Sequence, residues 1–295
     1  MPSPLLLHFQ DYQKQAQELA QALGIPCAPV TIHYFPDGEV RVTLPPELPD
    51  QVLFFRSLDN PNNKLIELLL AVETSRTLGA KHVTLIAPYL CYMRQDIAFN
   101  PGDAISQQIV GRFLSRLIDR IVTVDPHLHR INSLDEVMTE SDNIVISASE
   151  IIGRYVAKHV KNAILIGPDE ESEQWVAKAA EKAGLHYHIA TKQRFGDRNV
   201  DVSLPDINIH ENALVLMDDV ISTGQTLLQA SNNLKQRGAQ HIYCVATHVL
   251  LSKSDMERLL QAGVAGIFST DSVNHPTNTI SLCALLEDTL KSLTI

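Results

Sequence analysis

Val215-Leu-Met-Asp-Asp-Val-Ile-Ser-Thr-Gly-Gln-Thr226 is an apolar run that ends in two acidic residues and then turns through hydroxyls and a glycine. Ala213 to Met217 has the continuous apolar character of a strand buried on both faces of a parallel sheet. Thr226 to Gln236 has helical spacing, with Gly238 placed to stop it. The loop between them therefore joins a strand end to a helix start. There the unpaired N–H groups of the first helical turn, the positive end of the helix dipole and the hydroxyls of Ser222, Thr223 and Thr226 can converge on one anion. Gly224 lets the backbone come close to it. Asp218 and Asp219 would repel a phosphate, so they suit neighbouring sugar hydroxyls, directly or through a metal. Phosphate at one end and diol at the other describe ribose 5-phosphate, held by Asp218, Asp219 and the run Ser222, Thr223, Gly224, Gln225 and Thr226. No lysine follows the glycine, which excludes the G-x-x-x-x-G-K-[ST] loop of nucleoside triphosphate binders. A lone acidic pair or a lone Thr would read as an ordinary strand end or helix cap; the strand-turn-helix context favours binding.

Outward from this segment, apolar runs alternate with helical patterns almost from end to end, the pattern of helices covering a mostly parallel sheet. Strands are predicted at Gln51 to Arg56, His82 to Ile86, Ile121 to Val124, Ala163 to Ile166, His186 to Ala190, His241 to Ala246 and Ala265 to Ser269. Helices are predicted at Lys64 to Leu78, Ile105 to Leu117, Ser149 to His159, Glu173 to Ala183, Ser254 to Gln261 and Ser281 to Leu293. In the second of these, Ile105, Ile109, Phe113 and Leu117 share a face. His82-Val-Thr-Leu-Ile-Ala-Pro88 and Asn162-Ala-Ile-Leu-Ile-Gly-Pro168 each set an apolar strand before a proline, which points to a coarse duplication. The expected fold is α/β, with two similar halves, 1–147 and 148–295, and a catalytic cleft between them.

The chain has 295 residues, enough for two compact domains, and a formal charge of −10, which argues against nonspecific binding to nucleic acid or an acidic membrane. Anionic substrates must then be met by local Arg and Lys. Cys27, Cys91, Cys244 and Cys283 lie far apart without a C-x-x-C pair, as expected of core thiols in a reducing cytoplasm. No apolar stretch approaches membrane-spanning length.

Other segments carry chemistry-bearing residues. Pro88-Tyr-Leu-Cys-Tyr-Met-Arg-Gln-Asp96 and the irregular stretch to Asp103 lie beyond a strand's carboxyl end and are long enough to fold over a ligand. Within it, Arg94 suits phosphate oxygens, and Gln95 suits a base or a phosphate. Phe35-Pro-Asp-Gly-Glu39 is a hairpin-turn signal. In Asp125-Pro-His-Leu-His129 either imidazole is a candidate ligand, or a hydrogen-bonded structural residue. Asp169 follows Gly167-Pro168 at another strand end. Thr191-Lys-Gln-Arg194 reads as a solvated basic loop, or as two cations beside polyphosphate.

The Asp218 to Thr226 segment resembles the phosphoribosyl-diphosphate signature of phosphoribosyltransferases and ribose-phosphate pyrophosphokinases. Pro88 to Asp96 is similar to the P-Y-x-x-Y-x-R-Q-D loop with which the pyrophosphokinases cover ATP. Phe35 to Glu39 is similar to the F-x-D-G-E segment with which a neighbouring subunit grips adenine. The resemblance runs in the same order from about Phe35 to Thr270. It implies two phosphoribosyltransferase-like halves, with ATP met by Phe35, Asp37, Glu39, Arg94 and Gln95. It also implies Mg2+ at His127 and Asp169, catalytic Lys192 and Arg194 from the family's K-R-R run, and a homo-oligomer, a dimer or a hexamer built from dimers. The activity implied is diphosphoryl transfer from ATP to ribose 5-phosphate. The chain departs from the family at Asp169-Glu-Glu-Ser172, where D-x-G-G is usual, at Gln193 in K-R-R, and at Ser222 and Gln225 in the phosphate loop. Two other readings stay open, a phosphoribosyltransferase and a noncatalytic regulatory homologue that binds sugar phosphate.

Overall fold

The computed structural model describes residues 3–195, 199–203 and 211–293, and of residues 191–203 the backbone alone. The chain divides into two compact units, Met1–Ile146 with Leu282–Ile295, and Ser147–Ser281.

In the first unit the elements run β1 (Leu5–His8), α1 (Gln13–Leu23), β2 (Cys27–Pro29), β3 (Thr31–Tyr34), β4 (Val40–Thr43), β5 (Gln51–Phe55) and α2 (Pro61–Thr77). They continue β6 (His82–Ala87), α3 (Ser106–Leu117), β7 (Arg120–Val124) and β8 (Asp142–Ile146). A six-stranded sheet has the order β2-β1-β5-β6-β7-β8, and all its pairings are parallel. Its central strands are buried from Val52 to Phe55 and from Val83 to Ala87, which is why they read as unbroken apolar runs. Strands β3 and β4 form a separate antiparallel hairpin.

The second unit repeats the plan: α4 (Ser149–His159), β9 (Ala163–Gly167), α5 (Glu173–Ala183), β10 (His186–Ile189), β11 (Thr191–Phe195), β12 (Asn199–Ser203) and β13 (Ala213–Ile221). Then come α6 (Gln225–Gln236), β14 (His241–Val249), α7 (Lys253–Gln261), β15 (Val264–Thr270) and β16 (Asn278–Ile280). The parallel sheet order is β10-β9-β13-β14-β15-β16, and β11 and β12 again form a separate antiparallel hairpin. Strand for strand, β1, β2 and β5 correspond to β9, β10 and β13. In both sheets the chain reverses direction of growth across one neighbouring pair, β1/β5 and β9/β13. Open α/β sheets bind ligands at the carboxyl ends of such a pair.

Three expectations are corrected. The final helix, α8 (Cys283–Ser292), belongs to the first unit and packs on α1, although it was expected with the second half. Lys192 and Arg194 fall on a strand, β11, rather than a loop. On α3 the buried residues are Gln107, Gly111, Leu114, Ser115 and Leu117; of the expected face, Leu117 is buried and Phe113 packs against the core, but Ile109 is 51% exposed. The cause is close approach: a Cβ at Gly111 would lie 2.8 Å from the Val137 carbonyl oxygen. The helix rotates its glycine, not its isoleucines, toward the neighbour.

Candidate active site

The acidic pair stands inside β13, which runs four residues past the expected end at Met217. Asp218 pairs in register with Ala246, Val220 with His248 and Ile221 with Val249 on the equally long β14. This extension is possible because one neighbour, β14, continues as a strand beside it, so backbone groups beyond Met217 find partners on that side although β9 has ended. Asp219 is buried, and its own Oδ1 accepts from the Val220 N–H at 2.7 Å; the Asp218 Oδ1 accepts from the Asp219 N–H at 2.9 Å. Burial pushes the Asp218 carboxyl well above the usual carboxylate range, and the charges of Asp219 and Asp169 push it further. Three carboxylates thus crowd the carboxyl ends of β9 and β13. They are a sink for hydroxyl donors or a cation.

The turn Ser222–Gly224 then enters α6 at Gln225, one residue earlier than expected. Gly224 is the N-cap, with φ 69°, in the left-handed region that glycine enters without a Cβ penalty. It has no side chain with which to cap the helix. The first intrahelical bond runs from the Leu228 N–H to the Gly224 carbonyl at 2.8 Å, so the N–H groups of Gln225, Thr226 and Leu227 precede the helical ladder. Thr223 and Gln225 are exposed, and Ser222 and Thr226 half-buried. This is an anion cradle beside a carboxylate cluster.

At the end of β9, Asp169 caps a short 3-10 turn, Glu170–Ser172. Its Oδ1 accepts from the Ser172 N–H at 3.2 Å, and the Ser172 Oγ–H donates to the Asp169 carbonyl at 2.5 Å. The departure from D-x-G-G is therefore a capping box that holds Asp169 in place, with Glu170 and Glu171 exposed. Lys192 and Arg194 are two apart on β11, opposite Val202 and Val200 of β12. Their side chains lie outside the described residues.

In the first unit, the hairpin turn closes as its sequence requires. The Phe35 N–H donates to the Glu39 carbonyl at 2.8 Å, the Gly38 N–H to the Phe35 carbonyl at 3.0 Å, and the Glu39 N–H to the Asp37 Oδ1 at 3.1 Å. Gly38 has φ 91°. Phe35, Asp37 and Glu39 are all exposed on this arm. No hydrogen bond among the described residues joins them to Arg94 or Gln95, so one chain does not bring the two expected ATP segments together by direct bonding. Arg94 is exposed and has no ion-pair partner among the described residues, whereas the Gln95 side chain donates to the Ile97 carbonyl at 3.1 Å.

Beyond β7, Asp125 is buried with φ 37°, and its N–H donates to the Ile146 carbonyl at 2.9 Å. This bend launches the His127 segment from the sheet. His127 and His129 stack with ring centres 3.7 Å apart, and the His127 Nδ1 lies 3.2 Å from the His129 Nε2. Sequence reasoning missed one partner here. Arg130 Nη1 reaches both oxygens of Asp96, at 2.9 and 2.8 Å, tying the His127 segment to the Arg94-Gln95 loop. Nothing in the spacing of these two residues announces the pair.

A sheet of this order, duplicated, with carboxylates and an anion cradle at one crossover point, defines a phosphoribosyltransferase-type α/β protein. Residues 5–117 match the family model of the N-terminal domain of ribose phosphate pyrophosphokinase, and residues 206–289 match that of the phosphoribosyl synthetase-associated domain. A ribose-phosphate pyrophosphokinase from Methanopyrus kandleri is 32% identical over 98% of this chain and 99% of its own length. Another, from Saccharolobus solfataricus, is 34% identical over 88% of this chain and 89% of its own. The fold matches the crystal structure of phosphoribosylpyrophosphate synthetase from Mycobacterium smegmatis with a TM-score of 0.83, at 24% identity and covering 99% of each chain. The chain belongs to the ribose-phosphate pyrophosphokinase family.

Proposed function

We propose that the chain transfers the β,γ-diphosphoryl group of ATP to the anomeric hydroxyl of ribose 5-phosphate, giving phosphoribosyl diphosphate and AMP. One observation carries this reading, the convergence of Asp169, Asp218 and Asp219 beside the open amino end of α6. The 5-phosphate rests on the N–H groups of Gln225, Thr226 and Leu227 and on the hydroxyls of Ser222, Thr223 and Thr226. Asp218 and Asp219 accept from the ring hydroxyls, which replaces their mutual repulsion with hydrogen bonds. The anomeric oxygen then forms its bond to the β-phosphorus as the bond to the α,β-bridging oxygen breaks, and AMP departs with that oxygen.

Lys192 and Arg194 spread the charge that develops on the phosphoryl oxygens. Arg94 neutralises ATP phosphates while its loop excludes water, and Gln95 contacts the nucleotide. Phe35, Asp37 and Glu39 reach the adenine of a neighbouring subunit, which the exposed arm of β3 and β4 supports. His127 and Asp169 are the residues that would hold magnesium. The fit rests on Asp169, a hard oxygen donor in a cluster whose charge calls for a cation, while the role of His127 rests on the family resemblance alone. Bound magnesium supplies charge neutralisation and orientation of the diphosphoryl group.

The assembly proposed is a homo-oligomer, a dimer or a hexamer built from dimers. Ile66 and Leu70 on α2 and Ile109 on the adjoining α3 are exposed apolar side chains suited to that contact. No described helix is long and apolar enough to cross a membrane, and none of the four cysteines forms a disulfide, which supports a reducing cytoplasmic setting. Burial pushes the Cys91 and Cys244 thiols up to about 12, so neither is a nucleophile.

The test is incubation with ribose 5-phosphate, ATP and magnesium, following AMP and phosphoribosyl diphosphate together. Equal formation of both, lost without the sugar and in Lys192→Ala, supports the reading. Base-dependent pyrophosphate release from phosphoribosyl diphosphate without any ATP reaction would point to a phosphoribosyltransferase. Sugar-phosphate binding without turnover would point to a regulatory homologue.

A further inference from the structure

The duplicated topology gives the first unit a crossover point of its own, and a cavity of about 650 Å³ opens there. It lies at the carboxyl ends of β1 and β5, the counterparts of β9, which Asp169 follows, and of β13, which carries Asp218. Its wall includes Asp11, Tyr34, Arg56, Asn63, Lys64 and Glu67. Where β13 carries two acids near its end, β5 is followed by Arg56, whose side chain is 7% exposed, and α2 turns Glu67, 1% exposed, toward it.

The charges pair internally with one acid in excess, Arg56 and Lys64 facing Asp11, Asp59 and Glu67. Arg56 Nη1 lies 2.6 Å from the Glu67 Oε2, and Lys64 Nζ lies 3.0 Å from Asp11 and 2.8 Å from Asp59. Tyr34 donates to the Glu67 Oε1 at 2.6 Å. The ion pairs leave hydrogen-bonding capacity to spare in this buried wall: the Arg56 Nε–H reaches Asp11 only at 3.5 Å, and Glu67 Oε2 is held by Arg56 Nη1 without a hydrogen bond of good geometry. One group that both accepts and donates uses that capacity at both atoms. A hydroxyl does so; a phosphate, which at neutral pH chiefly accepts, cannot serve Glu67 and meets the negative charge of Asp11, Asp59 and Glu67.

We infer that the first unit carries a second ligand site, at the topological counterpart of the sugar-phosphate site, for an unphosphorylated ribose ring, either a free pentose or the sugar of a nucleoside. Its hydroxyls bridge Arg56 and Glu67, the Asn63 amide bonds the rim hydroxyls, and the ring's C–H face lies on Tyr34. The site discriminates against phosphate esters by charge.

The experiment uses the full chain carrying Asp218→Asn and Asp219→Asn, which disables the sugar-phosphate site, and titrates ribose, adenosine and ribose 5-phosphate calorimetrically. Saturable binding of ribose or adenosine is expected, with ribose 5-phosphate weaker by about tenfold or more. Binding of both ribose and adenosine identifies the pentose as the recognised part; adenosine binding counts for this site only as far as Asn63→Trp removes it, because the residues assigned to ATP stay in place. Asn63→Trp, at an exposed rim position, fills the mouth without touching the buried ion pairs and should abolish the binding. Glu67→Gln, which keeps the shape, should weaken it. No saturable binding, binding unchanged by Asn63→Trp, or ribose 5-phosphate bound as tightly as ribose would each overturn the inference. None of these outcomes bears on diphosphoryl transfer at Asp218 and Asp219, which is read from turnover of the parent chain.

Discussion

Removing Arg130 should loosen the loop that carries Arg94 and Gln95. The Asp96 side chain is 6% exposed and receives both of its short contacts from Arg130, itself 56% exposed. A charge-assisted hydrogen bond contributes about 1.5–3 kcal/mol net, and the exposure of Arg130 puts this pair toward the lower end. Loss of the guanidinium also leaves a buried carboxylate to draw in water. We take about 2 kcal/mol, or roughly a thirtyfold rise in the detached population of the loop base. Detachment stays local, because the Gln107 side chain still donates to the Met93 carbonyl and the Gln107 N–H to the Gln95 carbonyl, each at 3.1 Å. Native-state hydrogen exchange of the peptide spanning residues 93–105 is the assay. Exchange should quicken by about ten- to thirtyfold in Arg130→Ala, and adding Asp96→Asn should cost little more, because the two residues form one interaction. In kinetics the same variants should raise KM for ATP more than they lower kcat. Unchanged exchange in Arg130→Ala, or full additivity of the two substitutions, would refute the reasoning.

Three further predictions rest on separate residues. Asp218 binds its proton more tightly in the folded chain than in the unfolded one, so stability falls as pH rises from the ordinary carboxylate value through the raised one. Without ligand or divalent cation, Asp218→Asn should therefore melt above the parent at about pH 8 and lose that advantage below about pH 4, and a lower melting temperature at both would contradict it. Gly224→Ala forces a side chain into φ 69° and sets a Cβ 3.0 Å from Leu251 and Leu259; a loss of about 1–2 kcal/mol is expected in thermal scans, with weaker sugar-phosphate binding. Ile109→Glu should shift the sedimentation profile toward smaller species without altering the fold by circular dichroism, and an unchanged profile would place the subunit contact elsewhere.

The sequence was most legible where chemistry and periodicity coincide. β13 and α6 follow from an apolar run, a glycine and a helical repeat within one short segment, although β13 runs on through Asp218 because β14 extends to pair with it. α1 escaped notice because its buried face is built from Ala16, Leu19 and Ala20, and alanine carries little apolar signal. β2 and the hairpin strands are three or four residues long and largely unburied, so even the alternation of Val40, Arg41, Val42 and Thr43 is too brief to mark a strand. Glu67 reads as a surface position of a helix, yet it is buried because Arg56, on a different element, neutralises it. The same holds for Asp96 and Arg130. Pairings of that kind depend on which loops the sheet order brings together, and a single chain's spacing does not encode them.

The replaced turn after β9 shows how Asp169 keeps a fixed position when the motif around it changes. In the family pattern two glycines let the backbone approach the phosphates; here Glu171 and Ser172 stand in their place. Ser172 takes over the geometry by bonding Asp169 through both its N–H and its hydroxyl, and the steric demand moves upstream to Gly167. A Cβ there would lie 2.5 Å from the Ser172 Oγ and 2.6 Å from the Ile189 Cδ1, so the serine cap requires a glycine at the strand end. The added negative charge sits on exposed Glu170 and Glu171, where water screens it. Asp169 thus remains close enough to act on Asp218. On this argument Gly167→Ala should damage the cap and the carboxylate cluster together, and adding Ser172→Gly should recover only part of the lost thermal stability, because it removes the clash with the Ser172 Oγ but leaves the one with Ile189 and gives up the hydroxyl of the cap.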